Sequence, residues 1–453
     1  MKKILKKCFA LITCLFVIIT SAIFSVGCGD NKTASNSDIY VLMLTNAKEK
    51  TFYESYFAEL EEELGITITF EGVSYQDYDQ KLSTAMQDRA PDIFYVRPGN
   101  LKQYVKEGIL ADLSSYLKSS EFTSEVDVSK LYSNVIDIYR YDGKNVSVKD
   151  DSAPVYAINQ GLSYQGLGYN KALVERKETE IKAAGLPLPW ELGTEGYPES
   201  YTFEQFSQVL SIVKDTTGGG FSGTDEIYGM NIPTEIMPLV WAQSGDILSN
   251  DNITINSEAF QTVFDWLKNN YKSGNISKAA TNGEWSSKQV AFFTEVGSWE
   301  VSVYDFEFDM MPWPSKNGDS KWYGTIGTAG YGVYAESENL EMAEKIAARF
   351  LREDVQTSMV KKGLALPMYK EIAEGGYLTD NETYKPEHRK IFIDVISEKN
   401  GKYSPINNTY NSEWYDKFTQ NIIGYMDLEQ TAKDYLTSLQ TEVQKLYDNQ
   451  KNK

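Results

Sequence analysis

The stretch from Ile39 to Gly108 does most to limit what this chain can become, because its hydrophobic period switches in a fixed order. Ile39-Tyr40-Val41-Leu42-Met43-Leu44 is an unbroken apolar run, as a strand covered on both faces requires. Phe52, Tyr53, Tyr56, Phe57, Leu60 and Leu64 then recur at three- and four-residue steps, with glutamates mostly between them, and Gly65 stops the pattern. Residues 66–70 predict a second strand and 91–96 a third. Between them Tyr78, Leu82, Ala85 and Met86 mark a second helix, and Leu101, Tyr104 and Val105 a short one ending near Gly108. This β-α-β-α-β order builds a parallel sheet with helices on both faces. Ligands of such sheets sit at the carboxyl ends of the strands. The loops after Leu44 and Val96 are therefore candidate sites, carrying Thr45, Asn46 and Glu49, and Arg97, Pro98 and Asn100.

A chain of 453 residues exceeds one ordinary core and suits two lobes. Its 42% hydrophobic and 24% charged residues are those of a globular protein. Amphipathic stripes predict further helices around Phe203–Val213, Ser257–Tyr271, Asn339–Arg352 and Leu428–Tyr447, the last with Asp427 as N-cap. Residues 185–201 and 218–223 read as loops, and the second is no phosphate cradle, since no Gly-Lys-Ser/Thr follows it.

The first 28 residues have a chemistry of their own. Lys2, Lys3, Lys6 and Lys7 precede an apolar run from Cys8 to Val26, which closes on Gly27-Cys28. That is the layout of an export signal. It resembles a bacterial lipoprotein lipobox, with Cys28 as the acylated thiol and Ser25 where an aliphatic residue is usual; an uncleaved anchor is the other reading of the same run. All three cysteines lie in this leader, so no disulfide supports the remainder. Residues 29–38 are small and polar, as in a tether. A net charge of −20 argues against nucleic acid and against a surface that hugs anionic lipid.

Several blocks together resemble one family. Residues 82–117 hold an Ala-Pro-Asp strand followed by Glu107-Gly108-Ile109-Leu110-Ala111-Asp112-Leu113; Tyr169-Asn170-Lys171, Thr202-Phe203-Glu204, Gly297-Ser298-Trp299 and the Gly363-to-Pro367 segment follow in order. In this the chain is similar to the family 1 extracellular solute-binding proteins of ABC importers, the maltose-binding-protein-like group. The resemblance implies an α/β, two-lobed periplasmic-binding-protein-like fold, each lobe a mostly parallel sheet flanked by helices, with a ligand cleft between. Lobe one would be 39–158 plus 305–331, and lobe two 160–304 plus 332–453. The hinge would run through 156–160, 304–310 and near Gly332. A monomer is expected, held to the outer face of the bacterial cytoplasmic membrane by its lipid alone. It would have an oligosaccharide as ligand, a permease as partner, and no cofactor, metal or catalytic activity.

Sugars offer apolar C–H faces and polar rims, so a site for them needs flat rings and a few fixed hydrogen-bonding groups. The resemblance puts Trp299 in a stacking loop. Trp241, Trp322 and Tyr323 are further ring candidates by position, the last two beside the glycine-rich stretch 324–330, where backbone can approach a ligand. Tyr95, Arg97, Asn46 and Gln160 are the polar candidates, and Arg97 suits vicinal hydroxyls. The Trp414-Tyr415 pair reads as packing between C-terminal helices. A lipid-anchored carbohydrate-active enzyme and a binder of another polar solute are the alternatives. His388 is the only histidine and reads as solvated, which disfavours histidine triads and the usual zinc sites. A glycosidase needs only two carboxylates; Glu284, Glu295 and Glu300 lie near aromatics, and Asp305, Glu307 and Asp309 alternate as on a solvated strand face, but no spacing selects a pair.

Overall fold

The apolar run of the opening unit becomes β1 (Asp38–Leu44), with Ile39, Val41, Leu42 and Met43 fully buried, in a computed structural model that describes residues 38–217, 226–277, 282–298, 301, 304–380 and 382–451. The leader with Cys28, the tether up to Ser37, the loop 218–223 and both Trp299 and Glu300 lie outside the described residues. α1 (Ala47–Leu64) follows, opened by a capping box between Asn46 and Glu49 and closed by Gly65, whose φ of 64° needs the left-handed region. β2 (Thr67–Val73), α2 (Tyr78–Asp88) and β3 (Ile93–Val96) complete the predicted unit, with β1 parallel to both other strands.

The chain continues through β4 (Ile158–Asn170), α3 (Phe203–Val213), β5 (Tyr228–Met230), the small hairpin β6 (Leu248–Ser249) and β7 (Asn252–Ile253), and α4 (Glu258–Lys272). Then come β8 (Val290–Gly297), β9 (Phe308–Met310), β10 (Gly324–Val333), α5 (Leu340–Arg349) and α6 (Glu353–Lys361). β11 (Gly401–Tyr403), α7 (Glu413–Met426) and α8 (Ala432–Lys451) end it. Asp427, expected as an N-cap, instead ends α7, and Thr431 caps α8 by accepting from Asp434 N at 3.1 Å.

Instead of two mostly parallel sheets, one nine-stranded mixed sheet runs β2-β1-β3-β10-β4-β8-β5, with β11 on β10 and β9 on β4. β10 is antiparallel to β3 and to β4, and β4 to β8. The glycine-rich stretch is thus an inner strand. A Cβ on Gly324 would lie 2.1 Å from Gln165 O, so the bare backbone is what lets the two strands approach.

Two hydrophobic cores form on this sheet. β4 gives Ile158, Leu162 and Tyr164 to the first, and Leu167 and Tyr169 to the second. β8 divides in the same way, giving Val290, Phe293 and Val296 to the first core and Ala291 and Phe292 to the second. The expected division misplaces 343–396: Ala343, Ile346, Phe350 and Phe392 pack in the first core, and the chain settles in the second only with Trp414, Phe418 and Ile422. The cause is α5, whose apolar stripe lies beside α1. Phe350 stacks on Tyr331 at 4.0 Å and meets Tyr56 edge-on at 5.0 Å, and Arg349 bonds Glu63 of α1 at 2.9 Å.

Candidate functional site

Strand direction defines the site. β1, β2 and β3 run together in the first lobe, and β5 and β8 run together in the second. The two antiparallel steps through β10 and β4, and a third to β8, set β8 opposite in sense to β3. The carboxyl ends of both sets therefore face one another across β4 and β10. Val96 ends β3 level with Gly330 and Asn159, while Gly297 ends β8 level with Gln165. Six residues of strand separate those levels, about 20 Å at ~3.3 Å per residue. Gly161, Ser163 and Gly327–Ala329 form the half-buried floor of this crevice. On one edge of β10 the gap between β3 and β11 is closed by the turns Pro98–Asn100 and Pro405–Asn408, where a Cβ on Gly99 would meet Ile406 at 3.5 Å.

The first wall carries three of the expected residues. Asn46 is exposed, but its Oδ1 accepts from Lys48 N at 2.9 Å and Glu49 N at 3.0 Å, so only its amide NH2 is left to face a ligand. Tyr95 is half-buried, edge-on to Tyr78 at 5.5 Å, and burial pushes its phenol pKa up. Arg97 is held by Asp79 at 3.0 Å and lies 4.5 Å over the ring of Tyr75. Tyr75 follows β2 and is 64% exposed, a flat ring that sequence reasoning passed over although it stands at a strand's carboxyl end. Gln160 turns away from the wall. Its amide donates to Tyr53 Oη in the interior, and Tyr331 Oη also donates to Tyr53 Oη, at 3.0 Å.

The second wall follows β5 and β8. Glu295 accepts from both the backbone N of Thr234, at 2.8 Å, and its hydroxyl. The neighbouring Glu235 accepts from Met237 N at 2.7 Å and from Tyr415 Oη at 2.7 and 2.9 Å. Burial, with Glu295 nearby, pushes the Glu235 carboxyl up to about 7. Trp414 packs as expected, fully buried against Tyr447, but its neighbour Tyr415 reaches this carboxylate. Ser298 is pinned to the middle of β4, with its N donating to Tyr164 O at 2.8 Å and its Oγ accepting from Tyr164 N at 3.0 Å. Trp299 is the next residue.

Trp241 and Trp322 meet at 5.9 Å, with Lys402 Nζ over both rings at 5.4 and 5.1 Å and Asp246 within 3.7 Å of that amine. Trp241 is only 4% exposed and Trp322 half-buried, so the pair offers one ring edge rather than a platform. Tyr323 is tied by its backbone, donating to Asn400 O at 3.0 Å and accepting from Tyr164 Oη at 2.9 Å. Elsewhere, His388 is exposed as expected, with 53% of its side chain accessible, yet it has a partner. It pairs with Asp309, whose side chain is buried and not on a solvated strand face. Glu284 accepts from Ser277 at 2.9 Å. Among the described residues no group of three or more His, Cys, Asp or Glu could hold a metal ion, and no helix is long and apolar enough to cross a membrane.

A sequence profile for bacterial extracellular solute-binding proteins matches residues 55–386. No curated protein matches the chain. Among solved structures, an ABC substrate-binding protein from Listeria monocytogenes in complex with cycloalternan is 18% identical with a TM-score of 0.71, over 90% of this chain and 98% of that one. The maltose/maltodextrin-binding domain from Bdellovibrio bacteriovorus bound to maltotriose is 18% identical with a TM-score of 0.65, over 90% and 99%. A cyclic alpha-maltosyl-1,6-maltose binding protein from Arthrobacter globiformis is 18% identical with a TM-score of 0.62, over 91% and 99%. At these identities the likeness is one of fold: two lobes, mixed α/β, on a large sheet flanked by helices.

Proposed function

This chain belongs to the bacterial extracellular solute-binding proteins, and from that premise we propose that its crevice captures an oligosaccharide and delivers it to the permease of an ABC importer. The observation that carries this reading is the head-on meeting of two strand sets, with Tyr75 and Arg97 on one wall and Thr234, Glu235 and Glu295 on the other. An aromatic ring takes the C–H face of a pyranose, while guanidinium and carboxylate groups take its hydroxyl rim. The Listeria and Bdellovibrio proteins are described with cycloalternan and maltotriose, which favours oligomers of glucose. β4 gives side chains to both cores, so the lobes close by bending it around Tyr164–Leu167. Ligand bound between the walls stabilises the closed form that the permease meets. The leader exports the chain, Cys28 takes the lipid that holds it at the outer face of the cytoplasmic membrane, and the monomer releases its sugar unaltered.

The test is thermal denaturation of the mature domain against a panel of mono- and oligosaccharides, with each sugar analysed afterwards. A ligand at a hundredfold over its Kd adds about 2.7 kcal/mol, a rise of a few degrees in a chain of this size. Silence across the panel overturns the sugar assignment, and shortened products overturn the binder in favour of a hydrolase.

A further inference from the structure

A second concavity lies outside the crevice, between α1 and α6, with a volume of 680 Å³. That falls within the roughly 300–1,000 Å³ typical of small-molecule sites. It does not belong to either wall, yet its chain neighbours do. Ala47 and Lys48 line it directly after Asn46 of the first wall. Leu364 lines it one residue before Ala365, which packs so closely on the crevice floor that a Cβ on Gly161 would lie 2.7 Å from it. Leu366 N then donates to Leu162 O at 3.2 Å. The groove thus runs out from the crevice floor along the outer side of α1.

Its chemistry is that of a neutral polyol. Lys48 and Lys362 are matched by Glu59 and Asp354, so no charge is favoured. Thr51 and Ser55 hydroxyls donate to helix carbonyls at 3.1 Å, which leaves their oxygens to accept. Phe52 and Tyr56 lie beneath, nearly parallel at 11° and 6.0 Å apart. The hydroxyl of Tyr56, a residue 8% exposed, is buried and has no hydrogen-bond partner. That hydroxyl has no surface of its own, so the two rings form the groove's floor and the oxygens of Thr51 and Ser55 its polar contacts.

We infer that this groove is an extension subsite that holds the outer units of an oligosaccharide whose inner units occupy the crevice. The inference rests on the sugar reading above and makes the protein selective for chain length. The experiment is calorimetric titration of the mature chain with linear α-glucans of two and seven glucose units. The longer glucan is expected to bind at least tenfold more tightly. Ser55→Trp, at an exposed position of α1, fills the groove and abolishes that gain while disaccharide affinity stays unchanged. Thr51→Val, also at an exposed position of α1, removes one accepting oxygen of the groove, so it leaves the fold intact and reduces the gain about threefold or more. Disaccharide binding with no length gain, or a gain that survives both substitutions, overturns the subsite and leaves the crevice reading standing. Failure of both glucans to bind overturns this proposal together with the α-glucan reading.

Discussion

His388 Nδ1 contacts Asp309 Oδ2, joining the chain's only histidine to a carboxylate that is itself fully buried. The hydrogen bond to Asp309 is the main reason the imidazole pKa lies above its ordinary value, and Glu387 reinforces it while Lys171 opposes it. A histidine raised in this way stabilises the fold fully below about pH 6.5, and that contribution is lost as pH rises through the higher folded value. Thermal melts of the mature domain should fall from pH 6.5 upward, and His388→Gln should flatten that limb. At pH 6 the substitution should cost about 1–2 kcal/mol, because it leaves a buried carboxylate short of a partner.

Glu235 predicts a second pH dependence. With its carboxyl raised from 4.5 to about 7 by burial, its contribution is complete below pH 4.5 and is lost as pH climbs toward 7. The full loss is on the order of 3 kcal/mol at 1.36 kcal/mol per unit. Glu235→Gln keeps an acceptor for Tyr415 and removes the charge, so at pH 8 it should be more stable than the parent in urea denaturation. Equal stability at pH 8 would place the ionised carboxylate in a better-solvated setting.

On the walls, Tyr75→Ala should weaken oligosaccharide binding about tenfold with little change in Tm, since the ring is largely exposed and packs chiefly against Arg97. Trp299→Ala should lose most binding while the fold survives. Unchanged affinity in calorimetry would remove either residue from the site.

The placement of α5 in the first core predicts that Phe350→Ala costs about 3–5 kcal/mol, because it removes the ring stacked on Tyr331 and packed against Tyr53, Tyr56 and Phe57. Guanidinium titration measures this, and a cost near 1 kcal/mol would contradict the packing.

What the sequence made legible was local. The apolar run of β1, the stripe of α1, its stop at Gly65 and the stripe of α3 all depend on neighbours within a few positions. What it hid was set by distant partners. β10 shows in the sequence only as a glycine-rich stretch, because its ladder with β4 joins residues about 160 apart. The stripe of α5 announces a buried face without saying which core covers it. Glu235 looks like any surface acid until Tyr415, 180 residues later, folds onto it. Gln160 stands at a strand position that suits a wall, and only Tyr53, 107 residues earlier, explains why it turns inward.

β4 contributes side chains to both cores, and β10 holds strands of the first lobe on the same ladder that reaches Gly324. Neither half owns a complete set of backbone partners, so cutting the molecule at its waist would strand raw sheet edges on both fragments. The two halves are therefore not beads on a flexible string: the jaws share one spine.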